Sequence, residues 1–321
     1  PAGWPVHGTT GYDFANLVNG LFVDEAAEEE LTRIYARFIG RTIDFDALLA
    51  DRKRMIMRTA LSSELNVLAN HLNRLSEADW YARDFTLNAL RHALREVVAF
   101  FPVYRTYVRN ESVSPEDRRY IEWAVAQARK HSLAADVSVF DFVRRILLLE
   151  DIERLPEAYR RAALDFTMRF QQYTAPVMAK GLEDTAFYIY NRFVSLNEVG
   201  GDPRRFGVSV AGFHRGNQDR QRRFPYSMLA TSTHDTKRSE DVRARINVIS
   251  EIPGEWRAAV ARWARINRSK RRRLESGYAP DRNDEYLLYQ TLVGAWPLEE
   301  LDAAGLEAFR ERIEASLLKA V

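Results

Sequence analysis

Apolar residues recur at helical spacing through the middle of the chain. The clearest series advances by alternating steps of four and three residues: Leu61, Leu65, Leu68, Leu72 and Leu75. Such a series lies on one face of a helix, and that face is normally buried. Ser114 followed by Pro115 predicts the start of another helix, because serine caps the first turn and proline fits its first position. The region from 25 to 175 is therefore predicted to be a set of packed helices.

The segments on either side of this region lack a continuous helical period. Residues 1–24 are predicted to form a loop, a short strand and a turn. The sequence SMLATST at 227–233 has the length and β-propensity of a buried strand. A basic helix is predicted over 255–275, and an amphipathic helix is predicted from residue 299 to the end.

Composition and charge narrow the classes of protein that remain. The chain has 321 residues, 46% of them hydrophobic and 29% charged, and a net charge of +2. This balance excludes general disorder and argues against a dedicated nucleic-acid or membrane-surface protein, so we expect neither partner. The absence of cysteine excludes disulfides and thiolate metal sites, and the histidine spacing suggests no metal. We expect no cofactor and a cytoplasmic location, and, because the first residue is Pro1 rather than Met, an internal fragment.

The strongest candidate for chemistry is the polar run that follows the predicted strand at 227–233. Ionisable side chains at the carboxyl end of a strand, ahead of a helix, are how a (β/α) barrel builds its active site. Here Asp235 could meet a substrate, and His234 could donate a hydrogen bond to a hydroxyl. A loop of surface charges that caps the next helix is an equally good interpretation of this pattern.

Two further segments mix polar with aromatic or glycine residues. The segment AKGLEDTAFYIYNRFVSLNEVGG at 179–201, which includes Asn197 and Glu198 among its polar residues, suits a sugar, which offers hydroxyls at its rim and an apolar ring face. A helix with an aromatic core side and a salt-bridged outer side explains the same pattern. In the second segment, VHGTTGYDF, Gly8 and Gly11 allow a tight backbone near a ligand, but the ending of a phosphate loop is missing. A basic run at 265–276 is more typical of a solvated helix face than of a nucleic-acid site.

Four segments together resemble the maltooligosyl trehalose synthases, which are glucosylmutases of the α-amylase superfamily. They occur in the order of that family and extend over nearly the whole chain: WPVHGTTGYDFANLVNGLFVD at 4–24, AKGLEDTAFYIYNRFVSLNEVGGDP at 179–203, STHDTKRSEDVRARI at 232–246 and DRNDEYLLYQTLVGAWP at 281–297.

The resemblance implies an enzyme that acts on the reducing end of a maltooligosaccharide. It converts the terminal α-1,4 linkage into an α,α-1,1 linkage and leaves a trehalose cap. The superfamily places three catalytic carboxylates on a (β/α)₈ barrel: a nucleophilic aspartate, a glutamate acid and a second aspartate that stabilises the transition state. The family's His-Asp motif after the seventh barrel strand matches His234 and Asp235. Asp235 is therefore expected to be the stabilising carboxylate.

The same resemblance implies a set of residues that contact the sugar. These residues lie in the segment 179–203, in the segment 7–13 and directly after the His-Asp motif. They are Lys180, Glu183, Asp184, Tyr188, Asn191, Thr10, Tyr12, Asp13, Lys237 and Arg238. The motifs for the nucleophile and the acid are expected upstream of the 4–24 segment, in a missing N-terminal part of the same barrel. We therefore expect the chain on its own to lack mutase activity.

The resulting expectation is a mainly α fold, with a large helical insertion and a few strands of an incomplete (β/α)₈ barrel. The predicted divisions are a cleft segment (1–24), a helical insertion (25–175), a late barrel segment (176–298) and a C-terminal helix (299–321). Two other hypotheses remain open. The chain could belong to an amylase-type hydrolase or glucanotransferase, or it could be a non-catalytic helical scaffold. Loss of reducing ends without new short sugars would indicate the mutase, whereas new reducing ends would indicate hydrolysis. Nucleophile and acid motifs upstream of this sequence would favour an enzyme over the scaffold.

Overall fold

The computed structural model describes residues 6–109, 113–132, 137–151, 155–275 and 277–320. Residues 1–5 lie outside these ranges, so Trp4 and Pro5, the first two residues of the segment 4–24 that carries part of the family resemblance, are not described. The chain divides into two units, one of residues 46–186 and one of residues 1–45 with 187–321. We call the first the helical unit and the second the loop unit.

The helical unit is built from α-helices that pack on one another in chain order. They are α3 (Phe45–Arg58, whose first residue belongs to the loop unit), α4 (Ser62–Glu77), α5 (Leu87–Ala99), α6 (Pro115–His131), α7 (Val137–Leu147) and α8 (Glu157–Met178). A π-helical segment, Ala179–Ala186, continues from α8. Helix α4 packs on both α5 and α8, and α7 packs on α5, α6 and α8. Packed helices are therefore present over 46–186, whereas the helix at Glu28–Ile39, which the predicted range of 25–175 includes, belongs to the loop unit.

The sequence signals for individual helices in this unit are confirmed. Leu65, Leu68, Leu72 and Leu75 are all buried on one face of α4. Ser114 caps α6, since its Oγ accepts a hydrogen bond from the amide of Asp117, and Pro115 occupies the first helical position. The buried leucines join a single apolar core with residues of the neighbouring helices.

The loop unit combines helices with long irregular segments. Its α-helices are α1 (Tyr12–Leu21), α2 (Glu28–Ile39), the short α9 (Phe187–Ile189), α10 (Val210–Arg223), α11 (Glu240–Asn247), α12 (Pro253–Ile266), α13 (Arg282–Ala295) and α14 (Ala303–Ala320). The strands β1 (Arg272–Leu274) and β2 (Gly277–Ala279) form an antiparallel pair. An aromatic core holds α2, α12 and α13 together: the Trp256 indole donates to the Tyr286 hydroxyl at 2.8 Å, and Tyr35 packs against Tyr286.

Over the described residues of 1–24, a loop at 6–11 and a turn after Leu21 are present as predicted, but the predicted short strand was wrong, because α1 occupies Tyr12–Leu21. Gly11, in a left-handed conformation with φ of 95°, starts the helix. The buried residues Ala15 and Asn19 are four apart, as on one helix face. Because Asn19 is polar, this buried face lacks a continuous series of apolar residues, and the helical period was not recognised.

The prediction of a buried strand at 227–233 was also wrong. This segment has no strand conformation, and Met228 and Leu229 are 66% and 60% exposed. A strand needs a neighbouring strand to take up its backbone hydrogen bonds, and the described part of the chain pairs none with 227–233. The mainly α fold class is confirmed, whereas the incomplete barrel remains a prediction.

The predicted basic helix over 255–275 is shorter than expected. Helix α12 ends at Ile266, and the basic residues that follow form a 3₁₀ turn, Arg268–Lys270, and then β1. Clustered arginines repel one another along a helix, whereas a strand spaces them further apart. The C-terminal helix is present as α14. In the described ranges, no helix combines the length and apolar character needed to cross a membrane.

A buried ion pair between α3 and α5 gives a prediction about the stability of the helical unit. Glu96 is only 4% exposed, and both of its carboxylate oxygens accept hydrogen bonds from Arg54, the shortest at 2.7 Å. Burial by itself raises the pKa of Glu96, but the hydrogen bonds and charges of Arg54 and Arg95 together outweigh burial and hold the pKa below its ordinary value.

We expect Glu96→Gln to lower the free energy of unfolding by on the order of 2 kcal/mol near neutral pH. A carboxylate with a lowered folded-state pKa stabilises the fold above its unfolded-state pKa. That stabilisation disappears as the pH falls through the folded-state value. In urea titrations, the difference between parent and variant should therefore shrink between about pH 7 and about pH 3. Glu157→Gln, in an exposed pair with Arg161, is the control and should have little effect. A pH-independent difference would contradict this account.

Candidate functional site

Two glycines bring the first turn of α1 beside the segment that precedes the His-Asp motif. Gly11 lies so close to this segment that an added Cβ would stand 2.8 Å from the backbone nitrogen of Ala230, and its φ is +95°. Gly8 lies equally close to Ser227 and also has a positive φ. Only glycine fits such positions without strain. The close approach places Tyr12 next to the polar run at 231–238, which we call the His-Asp loop.

Three of the predicted site residues meet at this point. The Tyr12 hydroxyl donates a hydrogen bond of 2.7 Å to Oδ2 of Asp235. Nε2 of His234 lies 3.3 Å from Oδ1 of the same carboxylate. The side chains of Asp235 and His234 are 55% and 91% exposed, so the carboxylate is oriented by a neighbour and open to a ligand.

The environment of Tyr12 keeps its hydroxyl protonated. A hydrogen bond with Thr233 lowers the pKa of Tyr12, but the Asp235 carboxylate, through its hydrogen bond and its charge, and desolvation together raise the pKa above its usual value. A protonated phenol is a donor to a carboxylate. Tyr12 therefore acts as a hydrogen-bond donor that orients the Asp235 carboxylate.

A buried carboxylate anchors the His-Asp loop. The sequence pattern places this glutamate among the polar residues of 179–201, but it was not selected as a site residue. Glu198 is 2% exposed. Its Oε1 accepts from the backbone amide of Lys237 at 2.7 Å, and its Oε2 accepts from the amide of Arg238 at 3.1 Å. Oε1 also accepts from the amide of Val199 at 2.8 Å. Hydrogen bonds from amides to an ionised acceptor are stronger than neutral ones, so they fix the end of the loop firmly.

Arg243 on α11 provides the opposite charge and closes the loop from the other side. Its Nη1 lies 3.3 Å from Oε2 of Glu198 and donates to the carbonyl of Arg238 at 2.5 Å. Its Nη2 donates to the carbonyl of Thr231. The guanidinium thus ties both ends of the His-Asp loop to one buried ion pair. A charged residue within the apolar run FVSLNEV is the sequence signal that could have identified Glu198.

Helix α1 is fixed to the segment that carries Glu198. The side-chain amide of Asn16 donates a hydrogen bond to the carbonyl of Val199 at 2.8 Å. The side-chain amide of Asn19 donates one to the carbonyl of Ser195 at 2.9 Å. Both side chains project from α1, which also carries Tyr12. The position of Tyr12 and the position of the His-Asp loop therefore depend on the same short segment, 195–199.

A second group of predicted site residues lines a cavity of about 450 Å³ in the loop unit. Lys237 places its ammonium 5.7 Å from the centre of the Tyr188 ring. Arg238 lines the same cavity and donates to the carbonyl of Val194 at 3.1 Å. Residues of α14, including Phe309, complete the wall. The cavity therefore combines cations with an aromatic face.

Asn191, another predicted sugar contact, is fully buried in the structure. Its Nδ2 donates to the carbonyl of Tyr188, and its own carbonyl accepts from Gln290. Among the described residues its Oδ1 has no hydrogen-bond partner. In this arrangement the backbone and side chain of Asn191 support the position of Tyr188 from within the core.

The other predicted contacts lie at the surface. Thr10 and Asp13 are exposed, at the start of α1. Lys180 and Asp184 belong to the helical unit, where they form an ion pair of 2.8 Å across one turn of the π-helical segment. Glu183 accepts a hydrogen bond from Tyr104 in the same unit. The role of each in binding remains a prediction.

The loop unit thus presents an accessible carboxylate with a tyrosine donor and a histidine beside it. Such a group can stabilise positive charge or accept hydrogen bonds from hydroxyls, but a double displacement needs further carboxylates. Within the ranges that the structure describes, no cluster of three or more histidine or carboxylate side chains could hold a metal ion.

Comparisons with known proteins identify relatives of one kind. A structure of maltooligosyltrehalose synthase from Arthrobacter ramosus matches with a TM-score of 0.78 and 36% identity over 100% of this chain and 36% of its own. A structure described as a hypothetical maltooligosyl trehalose synthase of Sulfolobus tokodaii matches with a TM-score of 0.72 and 32% identity, over 100% of this chain and 36% of its own.

A protein of Mycobacterium tuberculosis that is provisionally named maltooligosyl trehalose synthase is 35% identical over 303 residues, which are 94% of this chain and 34% of that protein. No family model matches the chain. The resemblance to maltooligosyl trehalose synthases is confirmed by these relatives. The chain spans about a third of the length of the curated relatives it matches.

The anchor at Glu198 can be tested without an activity assay. We expect Glu198→Gln to raise the hydrogen-exchange rates of the Lys237 and Arg238 amides by about tenfold or more, because a neutral amide accepts weaker hydrogen bonds and leaves Arg243 unpaired. Hydrogen exchange measured by NMR or mass spectrometry gives these rates. Asp241→Asn, an exposed change on α11, is the control. The assignment would be contradicted if Glu198→Gln changed the exchange rates neither at these two amides nor elsewhere in the chain.

Proposed function

We propose that this chain forms part of a glucosylmutase that acts on the reducing end of maltooligosaccharides. The enzyme converts the terminal α-1,4 linkage into an α,α-1,1 linkage and so produces a maltooligosyl trehalose. The observation that carries the proposal is the accessible Asp235 carboxylate, held by Tyr12 and flanked by His234, in segments that match maltooligosyl trehalose synthases. A sugar bound there would present its hydroxyls to the carboxylate and the imidazole.

The role assigned to Asp235 is electrostatic. In a retaining double displacement, a nucleophilic carboxylate attacks the anomeric carbon and a carboxylic acid protonates the leaving oxygen of glucose. The transition state carries positive charge on the sugar ring, and an ionised aspartate beside it lowers the barrier. Tyr12 keeps one oxygen of Asp235 occupied and oriented, so that the other oxygen faces His234 and the ligand.

The second half of the reaction requires the released glucose to stay in the site. The oxygen of its anomeric hydroxyl attacks the anomeric carbon of the glycosyl-enzyme, and the proton goes to the group that first acted as acid. A new carbon–oxygen bond forms, so that one oxygen links the two anomeric carbons, and the bond to the nucleophile breaks and regenerates its carboxylate. Exclusion of water decides between this outcome and hydrolysis. Tyr188, Lys237 and Arg238, which line the cavity under α14, are assigned to hold the sugar chain.

The nucleophile and the general acid are assigned to residues outside this sequence, on the earlier strands of a (β/α)₈ barrel. Two observations support this part of the proposal. The chain spans about a third of the length of its relatives. The sequence also lacks the nucleophile and acid motifs that the resemblance implies. Lys180, Glu183 and Asp184, together with Thr10, Asp13 and Asn191, are assigned to substrate binding or to the support of residues that bind it.

Replacement of Asp235 in the complete enzyme should remove the chemistry and spare the fold. We expect Asp235→Asn to lower kcat for conversion of maltohexaose by about a thousandfold, because a neutral amide cannot stabilise the positive charge of the transition state. The α,α-1,1 product is followed by NMR of its anomeric protons. Asp241→Asn, also exposed and close along the chain, is the matched control and should keep its activity. A loss of less than about tenfold would remove Asp235 from the catalytic set.

The 321-residue chain by itself should not convert maltohexaose. A carboxylate that stabilises charge cannot replace a nucleophile and an acid. The measurement is prolonged incubation of the purified, folded chain with maltohexaose, followed by chromatography of the products. Any sustained turnover, mutase or hydrolase, that Asp235→Asn abolishes would show that the full catalytic set lies within the chain.

A further inference from the structure

The helical unit exposes two adjacent aromatic side chains beside a polar cavity. Trp80 is 71% exposed and Tyr81 is 86% exposed. Both lie in the turn that connects α4 to α5 and line a cavity of about 330 Å³. Adjacent exposed apolar side chains beside a cavity are typical of a surface that binds a ligand or a partner. We call these two residues the aromatic platform.

Neighbouring side chains hold the backbone of the turn that carries the platform and the ring of Trp80 in position. Oδ1 of Asp79 accepts from the amide of Tyr81 at 2.9 Å, and Oδ2 accepts from Nη2 of Arg145 at 2.5 Å. The guanidinium of Arg83 lies 4.0 Å from the centre of the Trp80 ring. The cation covers one face of the indole, so the exposed area belongs largely to the rest of the ring. A fixed ring binds a ligand at a smaller entropic cost than a mobile one.

A buried hydroxyl without a partner marks the wall of the same cavity. Tyr159 is 9% exposed, lines the cavity, and has no hydrogen-bond partner for its hydroxyl in the described part of the chain. Burial, with the negative charge of Asp79 adding to it, raises the pKa of Tyr159 to about 12. The hydroxyl therefore remains a donor at neutral pH. An unsatisfied buried hydroxyl is uncommon and calls for a partner.

We propose that the aromatic platform and its cavity form a second, non-catalytic binding site for an α-1,4-glucan chain. This inference rests on the proposed function, which supplies the class of ligand. A sugar presents an apolar ring face that stacks on Trp80 and Tyr81, and hydroxyls that can pair with Arg145, Glu150 and Tyr159. The carboxylate of Asp79 is paired with Arg145, and that of Glu150 is paired with Arg118 and Arg144. The charges of both carboxylates are therefore compensated, which suits a neutral ligand.

The size of the cavity fits this assignment. A volume of about 330 Å³ lies at the lower end of the range for ligand sites. It accommodates a short stretch of glucan, and the rest of the chain lies outside on the aromatic platform. Such a site holds a long substrate near the enzyme and takes no part in bond cleavage. The effective concentration of chain ends at the active site then rises.

The test is calorimetric titration of the 321-residue chain with maltoheptaose. We expect Trp80→Ala and Tyr81→Ala each to weaken binding by about tenfold, the loss of one stacked ring. Tyr159→Phe, which keeps the ring and removes the hydroxyl, should weaken binding by about threefold. Trp123→Ala is the matched control, because Trp123 is a 48% exposed tryptophan on α6 of the same unit. Thermal unfolding checks that each variant is folded.

Three outcomes would overturn the inference. The first is equal affinity of Trp80→Ala, Tyr81→Ala and the parent, and the second is an absence of heat on titration with maltoheptaose. The third is concentration-dependent self-association of the chain that Trp80→Ala abolishes and that maltoheptaose does not affect. The platform would then be a contact between copies of the chain. The proposed function is tested separately. In the titration, Asp235→Asn should keep the binding that Trp80→Ala loses. In the complete enzyme, Trp80→Ala should keep mutase activity and Asp235→Asn should lose it, whichever way the titration falls.

Discussion

The buried carboxylate of Glu198 is the interaction on which the candidate site depends. A charge taken out of water is costly, and it is tolerated only where hydrogen bonds and an opposite charge replace the lost solvation. Here backbone amides of the His-Asp loop and the guanidinium of Arg243 supply that replacement. The loop therefore has one conformation that satisfies the carboxylate, and Asp235 is displayed at its exposed turn.

The remaining parts of the loop unit follow from this constraint. Helix α1 is fixed to the segment 195–199 by Asn16 and Asn19, and Gly11 allows its first turn to touch the backbone at Ala230. Tyr12 consequently reaches Asp235 as a hydrogen-bond donor. The helical unit has a separate apolar core, in which α4, α5, α7 and α8 pack together. Its exposed aromatic platform is a feature of that unit alone.

The sequence allowed local features to be predicted better than features that depend on distant partners. The leucine series of α4 and the Ser114 cap could be predicted, because both depend on residues within a few positions. Helix α1 was missed because its buried face is partly polar, and the strand at 227–233 was predicted from propensity without a pairing strand. His234 and Asp235 were selected by their motif, and their catalytic role remains a prediction. Glu198 was not selected, because its partners lie 39 to 45 residues further along the chain.

The central claim is that this chain works within a mutase and not within a hydrolase. The most direct test captures the native polypeptide from its source cell with an antibody to this chain and incubates it with maltohexaose. The reducing ends that remain and the short sugars that form are then quantified separately in the same sample. The account predicts that reducing ends disappear while no glucose or shorter maltooligosaccharide accumulates, because the linkage is rearranged without water. An increase in reducing ends, or no change in either quantity, would contradict it.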